Sequence, residues 1–250
     1  MAGHSKFKNI MHRKGAQDAK RAKQFTKILR EVTVAAKEGG SDAEHNPRLR
    51  VAMVAARDAN LPKDRILAAI QKATSSAESE NYEEIRYEGY APGNIALIVE
   101  ALTDNRNRTA SDVRSSFSKF GGHLGETGSV GFMFKRIGSI TYPDTAASTD
   151  AIFEATVEAG GDDCVSEDGV HEIICAPESL NQVRESLEKK FGTPENASIT
   201  WKPNNTQMLS MEDGEKLMKL LDALEDCDDV QNVIGNFELP QELLQKLKNG

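Results

Sequence analysis

Long apolar runs are missing from this chain. The most hydrophobic stretch, IALIVEAL at 95–102, is strand-sized and far short of the ~20 residues that cross a bilayer, so no membrane partner is expected. No continuous apolar block of signal-peptide type stands at the start, which argues against export. Cysteine is scarce: Cys164, Cys175 and Cys227 are odd in number and form no CxxC. That excludes a disulfide scaffold and a thiolate zinc site and points to a reducing compartment. The five histidines, at 4, 12, 45, 123 and 171, lack ligand spacing, so no metal and no other cofactor is expected. Aromatics make up 6% and charged residues 28% of the 250 residues, an ordinary globular balance, and the length favours two or three domains.

One absence is local. The first thirty residues hold a single acid, Asp18, against Lys6, Lys8, Arg13, Lys14, Lys20, Arg21, Lys23, Lys27 and Arg30. Nine against one is a net of +8; with the whole chain at -8, the remainder carries -16. A division of this kind between the ends suggests contact with nucleic acid or another anionic surface at one pole. The bland alternative is a solvated helix face. Before Gly15 there is almost no apolar periodicity, and His4, Ser5, Asn9 and His12 add phosphate donors to the four cations there. An arm of this composition can order on a charged partner. Phe7 within it either stacks on a base or pins the arm to the protein. The electrostatic reading requires that carboxylates from the later half of the chain do not neutralise these leading cations.

Residues 16–38 read as one amphipathic helix, with Phe25, Ile28, Leu29, Val32 and Ala36 on a stripe that Gly39-Gly40 ends. Asn46-Pro47 supplies an N-cap and a first-turn proline for a second helix to about Ala59. Asn60-Leu61-Pro62 repeats the device for a third, to about Thr74, with Ile66, Ala69, Ile70 and Ala73 inward. Three short-looped helices imply a bundle. A helix-turn-helix, with Lys63, Arg65 and Lys72 on the recognition element, is an alternative that Asp64 opposes.

After the polar stretch at 75–83 the pattern turns to strands. Ala91-Pro92-Gly93-Asn94 closes a hairpin, Thr109 and Asp112 form an incomplete capping box opening a helix, and Val130 to Phe134 reads as a strand. From 138 to 202 the order is β-α-β-β-α-β, the ferredoxin-like arrangement. A helix around 217–224, a strand from Val230 to Leu239 and a helix at 241–248 follow. One helix and one strand cannot close a core, and the unit before residue 136 lacks what they supply. The expected class is α+β: a three-helix bundle at 1–80, a discontinuous α/β domain at 81–135 plus 207–240, and an inserted ferredoxin-like α/β domain at 136–206.

TDNRNRTASDVR at 103–114 places Arg106, Arg108 and Arg114 at a strand-to-helix junction, where helix amides add to their pull on anions. The alternative is that they answer nearby acids. GGHLGETGSV at 121–130 lacks the order and the Gly-Lys-Ser/Thr of a phosphate loop. His123 and Glu126 have no accompanying nucleophile or oxyanion donors, so no catalytic residue is assigned and no enzyme is expected. The acidic clusters, EDCDD at 225–229 among them, read as solvated surface that discourages misplaced adhesion to nucleic acid.

The segments AGHSKFKNIMHRKGAQDAKRAKQFTK, EGGSDAEHNPRL, NLPKDRI, LTDNRNRTASDVR and GGHLGETGSVGFMF resemble the YebC family over residues 2 to about 240. That family includes the mitochondrial translational activator of cytochrome c oxidase, and its bacterial members are described as probable transcriptional regulatory proteins. Phe7 departs from the family's usual tryptophan, and Ala91 and Asn94 from its frequent glycines. Because the family pattern starts at residue 2, the resemblance implies no presequence and a bacterial cytoplasmic protein. It also implies three domains and a non-enzymatic role in gene expression: a DNA-binding transcriptional regulator or, alternatively, a translation factor on ribosomal RNA. A monomer is compatible with either.

Overall fold

The structure, a computed structural model, describes residues 18–75 and 81–249, and only the backbone of residues 18–21 and 247–249. Helix α1 (Asp18–Gly39), α2 (Pro47–Asp58) and α3 (Lys63–Ser75) come first. Their apolar stripes face inward through Val32, Ala35 and Ala36, then Leu49, Ala52 and Ala56, then Ile66, Ile70 and Ala73. Asn46 joins the first two helices. Its Oδ1 accepts from the Leu49 amide at 3.0 Å while Nδ2 donates to the carbonyls of Ala35 (2.7 Å) and Gly40 (2.8 Å). A β-carbon at Gly39 would fall 2.6 Å from that amide group, so the close approach needs glycine. Asn60 does not cap α3: it sits at φ 56°, its Nδ2 donates to the Asp58 carbonyl at the end of α2 at 3.5 Å, and α3 begins at Lys63, with the amides of Arg65 and Ile66 bonded to the Pro62 carbonyl.

The chain divides into two compact units. Among the described residues, unit one comprises 18–27, 81–135 and 202–249, and unit two 28–75 and 136–201. In unit one, β1 (Glu83–Ala91), β2 (Ile95–Thr103), β3 (His123–Leu124) and β9 (Val230–Gly235) form a sheet of order β3-β1-β2-β9. Strand β2 is central and apolar because it is buried along almost its whole length. Against it pack α4 (Arg106–Lys119) through Val113 and Phe117, and α7 (Met211–Glu225) through Leu217, Leu220, Leu221 and Leu224. A parallel pair, β8 (Gln207–Met208) with β10 (Phe237–Glu238), and helix α8 (Gln241–Asn249) complete the unit.

In unit two, β4 (Phe134–Pro143, whose first two residues belong to unit one), β5 (Asp163–Glu167), β6 (Val170–Cys175) and β7 (Asn196–Pro203, whose last two residues belong to unit one) form a sheet of order β5-β6-β4-β7. With α5 (Thr149–Ala159) and α6 (Leu180–Phe191) this is the ferredoxin-like order read from the sequence. Ile140, Tyr142, Ile152, Ile173, Val183 and Leu187 make its core. The α+β class is the one expected.

Three local expectations are corrected. Helix α4 opens at Arg106, capped by Asn105, whose side chain accepts from the Arg108 amide at 3.1 Å; Thr109 lies inside the helix and is buried. The run Val130 to Phe134 is a 3₁₀ turn over Gly131–Met133 rather than a strand. The strand at 230–239 is two pieces, β9 and β10.

Candidate nucleic-acid interface

Of the nine leading cations, Lys6, Lys8, Arg13 and Lys14 lie outside the described residues, as do the side chains of Lys20 and Arg21. Lys23 and Lys27, on the first part of α1, meet the acidic turn that follows α7. Lys23 Nζ is 3.0 Å from Asp226 Oδ1. Lys27 Nζ donates to the Glu225 carbonyl at 2.6 Å. Helix α7 has no cation in its last turn, and a helix C-terminus leaves carbonyls unsatisfied with partial negative charge; Lys27 supplies the missing donor. Burial pushes the Lys27 ammonium down from its ordinary value, against the upward pull of Glu225, Cys227, Asp228 and Asp226. Lys23 is thus paired with a carboxylate from the back of the chain, contrary to the requirement stated above, and Lys27 is held there by a backbone carbonyl. Arg30, one helical turn further, is half-buried.

The same acidic turn reaches the second basic cluster. Asp229 is buried, which corrects the reading of EDCDD as solvated surface. Its carboxylate takes a two-pronged contact from Arg108, Nη2 lying 3.0 and 2.8 Å from Oδ1 and Oδ2 and Nε 3.2 Å from Oδ2. Thr109 Oγ1 donates to Oδ2 at 2.6 Å, and Thr103 Oγ1 lies 3.1 Å from it. Arg108 Nη2 also donates to Asp104 at 2.8 Å. Hydrogen bonds to Asp229 and Asp104 raise the Arg108 pKa further. Its guanidinium is therefore occupied within the protein. Arg106 is 70% exposed and only 3.7 Å from Glu83, and Arg114 is exposed with no ion-pair partner among the described residues. The three arginines share a helix but not a fate.

A third region carries polar groups that the sequence reading passed over. Glu88 on β1 is 1% exposed. One of its carboxylate oxygens accepts from the amides of Val130 and Gly131, each at 2.8 Å, and the other lies 2.9 Å from Arg86 Nη2. Burial alone would raise this carboxyl, but the amides of Val130, Gly128 and Gly131 and the Arg86 charge outweigh it and hold the pKa below its ordinary value. Tyr90 Oη donates to the Ser129 carbonyl at 3.0 Å, and its ring stacks on His123. A β-carbon at Gly122 would meet the Tyr90 carbonyl at 2.6 Å and one at Gly89 the His123 carbonyl at 2.7 Å. The glycines of 121–131 thus let the loop lie against β1, and they form no phosphate cradle. No cluster of metal-binding side chains occurs among the described residues, and no helix among them is long and apolar enough to cross a membrane.

Similarity to known proteins covers the chain in two blocks. Residues 5–76 match the TACO1/YebC protein N-terminal domain, and residues 82–237 the TACO1/YebC second and third domain. A probable transcriptional regulatory protein of Rickettsia bellii is 57% identical over 249 residues, spanning 99% of this chain and 97% of that protein. A crystal structure of a conserved hypothetical protein from Aquifex aeolicus superposes with a TM-score of 0.82 at 48% identity, covering 91% of this chain and 94% of that one.

Proposed function

The chain belongs to the TACO1/YebC family, and on that premise we propose that it is a non-enzymatic, nucleic-acid-binding regulator of gene expression, acting on DNA in transcription. The observation that carries this is the concentration of +8 in residues 1–30 of a chain whose total is -8. Phosphate contacts provide most of non-specific affinity and place a protein on its target. The arm and the start of α1, Lys6 through Arg21, form the principal contact. Arg106 and Arg114 are the second anchor, because Arg108 is committed to Asp229. Lys23 exchanges Asp226, and Lys27 the Glu225 carbonyl, for phosphate only when the acidic turn gives way. The division into 1–80, 81–135 with 207–240, and 136–206 belongs to the same proposal, with the acidic inserted domain kept off the phosphates by its own charge. The Rickettsia relative, a probable transcriptional regulatory protein, supports the transcriptional reading.

A salt titration of duplex binding tests this. With about five phosphates neutralised, log K falls against log salt with a slope of about -4 to -5. Replacing Lys20, Arg21 and Lys23 together by Glu removes most of the binding. Unchanged affinity in that triple variant would falsify the arm contact. A second reading is a translation factor on ribosomal RNA; the exposed ring of Phe132 suits an unpaired base, which a folded RNA offers and a closed duplex does not.

A further inference from the structure

Phe132 is 70% exposed, although its position in the apolar run VGFMF would suit a core residue. The backbone that carries it is held on both sides. Glu88 grips the two preceding amides from beneath. Beyond it, Asn204 Nδ2 donates to the Phe132 carbonyl at 3.2 Å and the Asn204 amide to the Met133 carbonyl at 2.9 Å. The Phe132 carbonyl and the backbone on either side are thus held while the residue stays exposed. A ring presented on a fixed backbone has less conformational freedom to lose when something stacks on it.

The surroundings are cationic. Strands β4 and β7 are neighbours, and the Asn204–Met133 bond sets their pairing at this end. Two residues further along each strand come Lys135 and Lys202, both exposed and neither in an ion pair among the described residues. Unpaired cations carried on neighbouring strands gain from an anion bound beside them. An aromatic face beside uncompensated lysines is the combination by which proteins hold an unpaired nucleotide, base on the ring and phosphate on the cations. A protein partner would call for a continuous apolar patch, and one ring flanked by lysines does not form one.

We propose that Phe132, Lys135 and Lys202 form a binding site for an unpaired nucleotide of single-stranded nucleic acid, separate from the arm and α1. The inference rests on the nucleic-acid-binding reading and specifies the form of the ligand at this place. A duplex keeps its bases stacked on one another and offers this ring nothing.

Anisotropy titrations of the full chain with labelled oligouridine, oligothymidine and a duplex of equal length test it at one salt concentration. Phe132→Ala is expected to weaken single-strand binding roughly tenfold, the cost of one lost base stack, and to leave the duplex unchanged. Phe132→Trp retains or strengthens single-strand binding. Lys135→Gln with Lys202→Gln flattens the salt dependence by roughly 0.7 per lost phosphate contact. Tighter binding of the uridine or the thymidine strand by the wild type shows whether RNA or DNA is the source. If Phe132→Ala leaves single-strand affinity unaltered, or weakens the duplex equally, the site is wrong while the arm contact stands. Loss of a protein partner with unaltered oligonucleotide affinity overturns it in the same way. If the wild type binds neither strand nor duplex, both readings fall. Equal unfolding midpoints for wild type and variants show that the loop is intact.

Discussion

Asp226 and Asp229 stand three residues apart in one turn, each facing a cation from elsewhere in the chain, and they do different work. Asp229 has a side-chain exposure of 7% and holds Arg108 by two prongs with two threonine hydroxyls alongside. Asp226 is 59% exposed and meets one Lys23 ammonium. The first is a structural joint between β9 and α4, since a buried carboxylate must be fully hydrogen-bonded to persist. The second is a surface pair of small value that water and salt screen. Equal formal charge therefore means different availability to a ligand.

Removing each acid separates the two cases most strongly. Asp229→Ala removes the buried acceptor that Arg108 and both threonines share, leaving Arg108 only Asp104, and unfolding stability in urea is expected to fall by about 2–4 kcal/mol. Asp226→Ala is expected to cost under about 1 kcal/mol. Similar losses from both would erase the distinction.

Next in size is Glu88→Gln, which removes the charge that holds the amides before Phe132; a loss of about 1–3 kcal/mol is expected at neutral pH. The Glu88 pKa is depressed in the folded protein relative to its ordinary 4.5. Its contribution is thus complete above the unfolded value and disappears as pH falls through the lower folded one. Wild type and variant should converge on acidification, and a difference that persists in acid would show that the carboxylate charge is not what holds the loop.

The smallest effect concerns Asp226→Asn with Asp228→Asn. These substitutions reduce the internal competition for Lys23 and Lys27 and are expected to raise duplex affinity a few-fold at low salt, with stability almost unchanged. Unaltered affinity would mean that the pair never opposes the ligand.

The helices, the ferredoxin-like order and the hairpin were legible because local signals agreed with the fold: stripes of Ile, Leu and Ala, Asn46 before Pro47, and Pro92-Gly93-Asn94 at the reversal. What misled were residues whose partners are distant in sequence. Thr109 looked like a cap, yet its hydroxyl serves Asp229, so Asn105 takes that place. Val130 and Gly131 give their amides to Glu88, which turns an apparent strand into a 3₁₀ turn. The acids at 225–229 looked solvated because nothing nearby in sequence answers them; Lys23, Lys27 and Arg108 do so from about 120 to 200 positions away. Phe132 had one available signal, an aromatic directly after Gly131 and three residues before Lys135-Arg136, and the apolar run around it concealed that.

Asn46 joins α1 to α2 through a single carboxamide that both accepts and donates. Spontaneous ageing of asparagine begins when the nitrogen of the following peptide attacks the side chain, and that nitrogen must carry a hydrogen. Here the following residue is Pro47, which has none. The residue that secures this corner of the bundle is therefore shielded from the commonest chemical decay of its kind, and a long-lived molecule keeps its first bend.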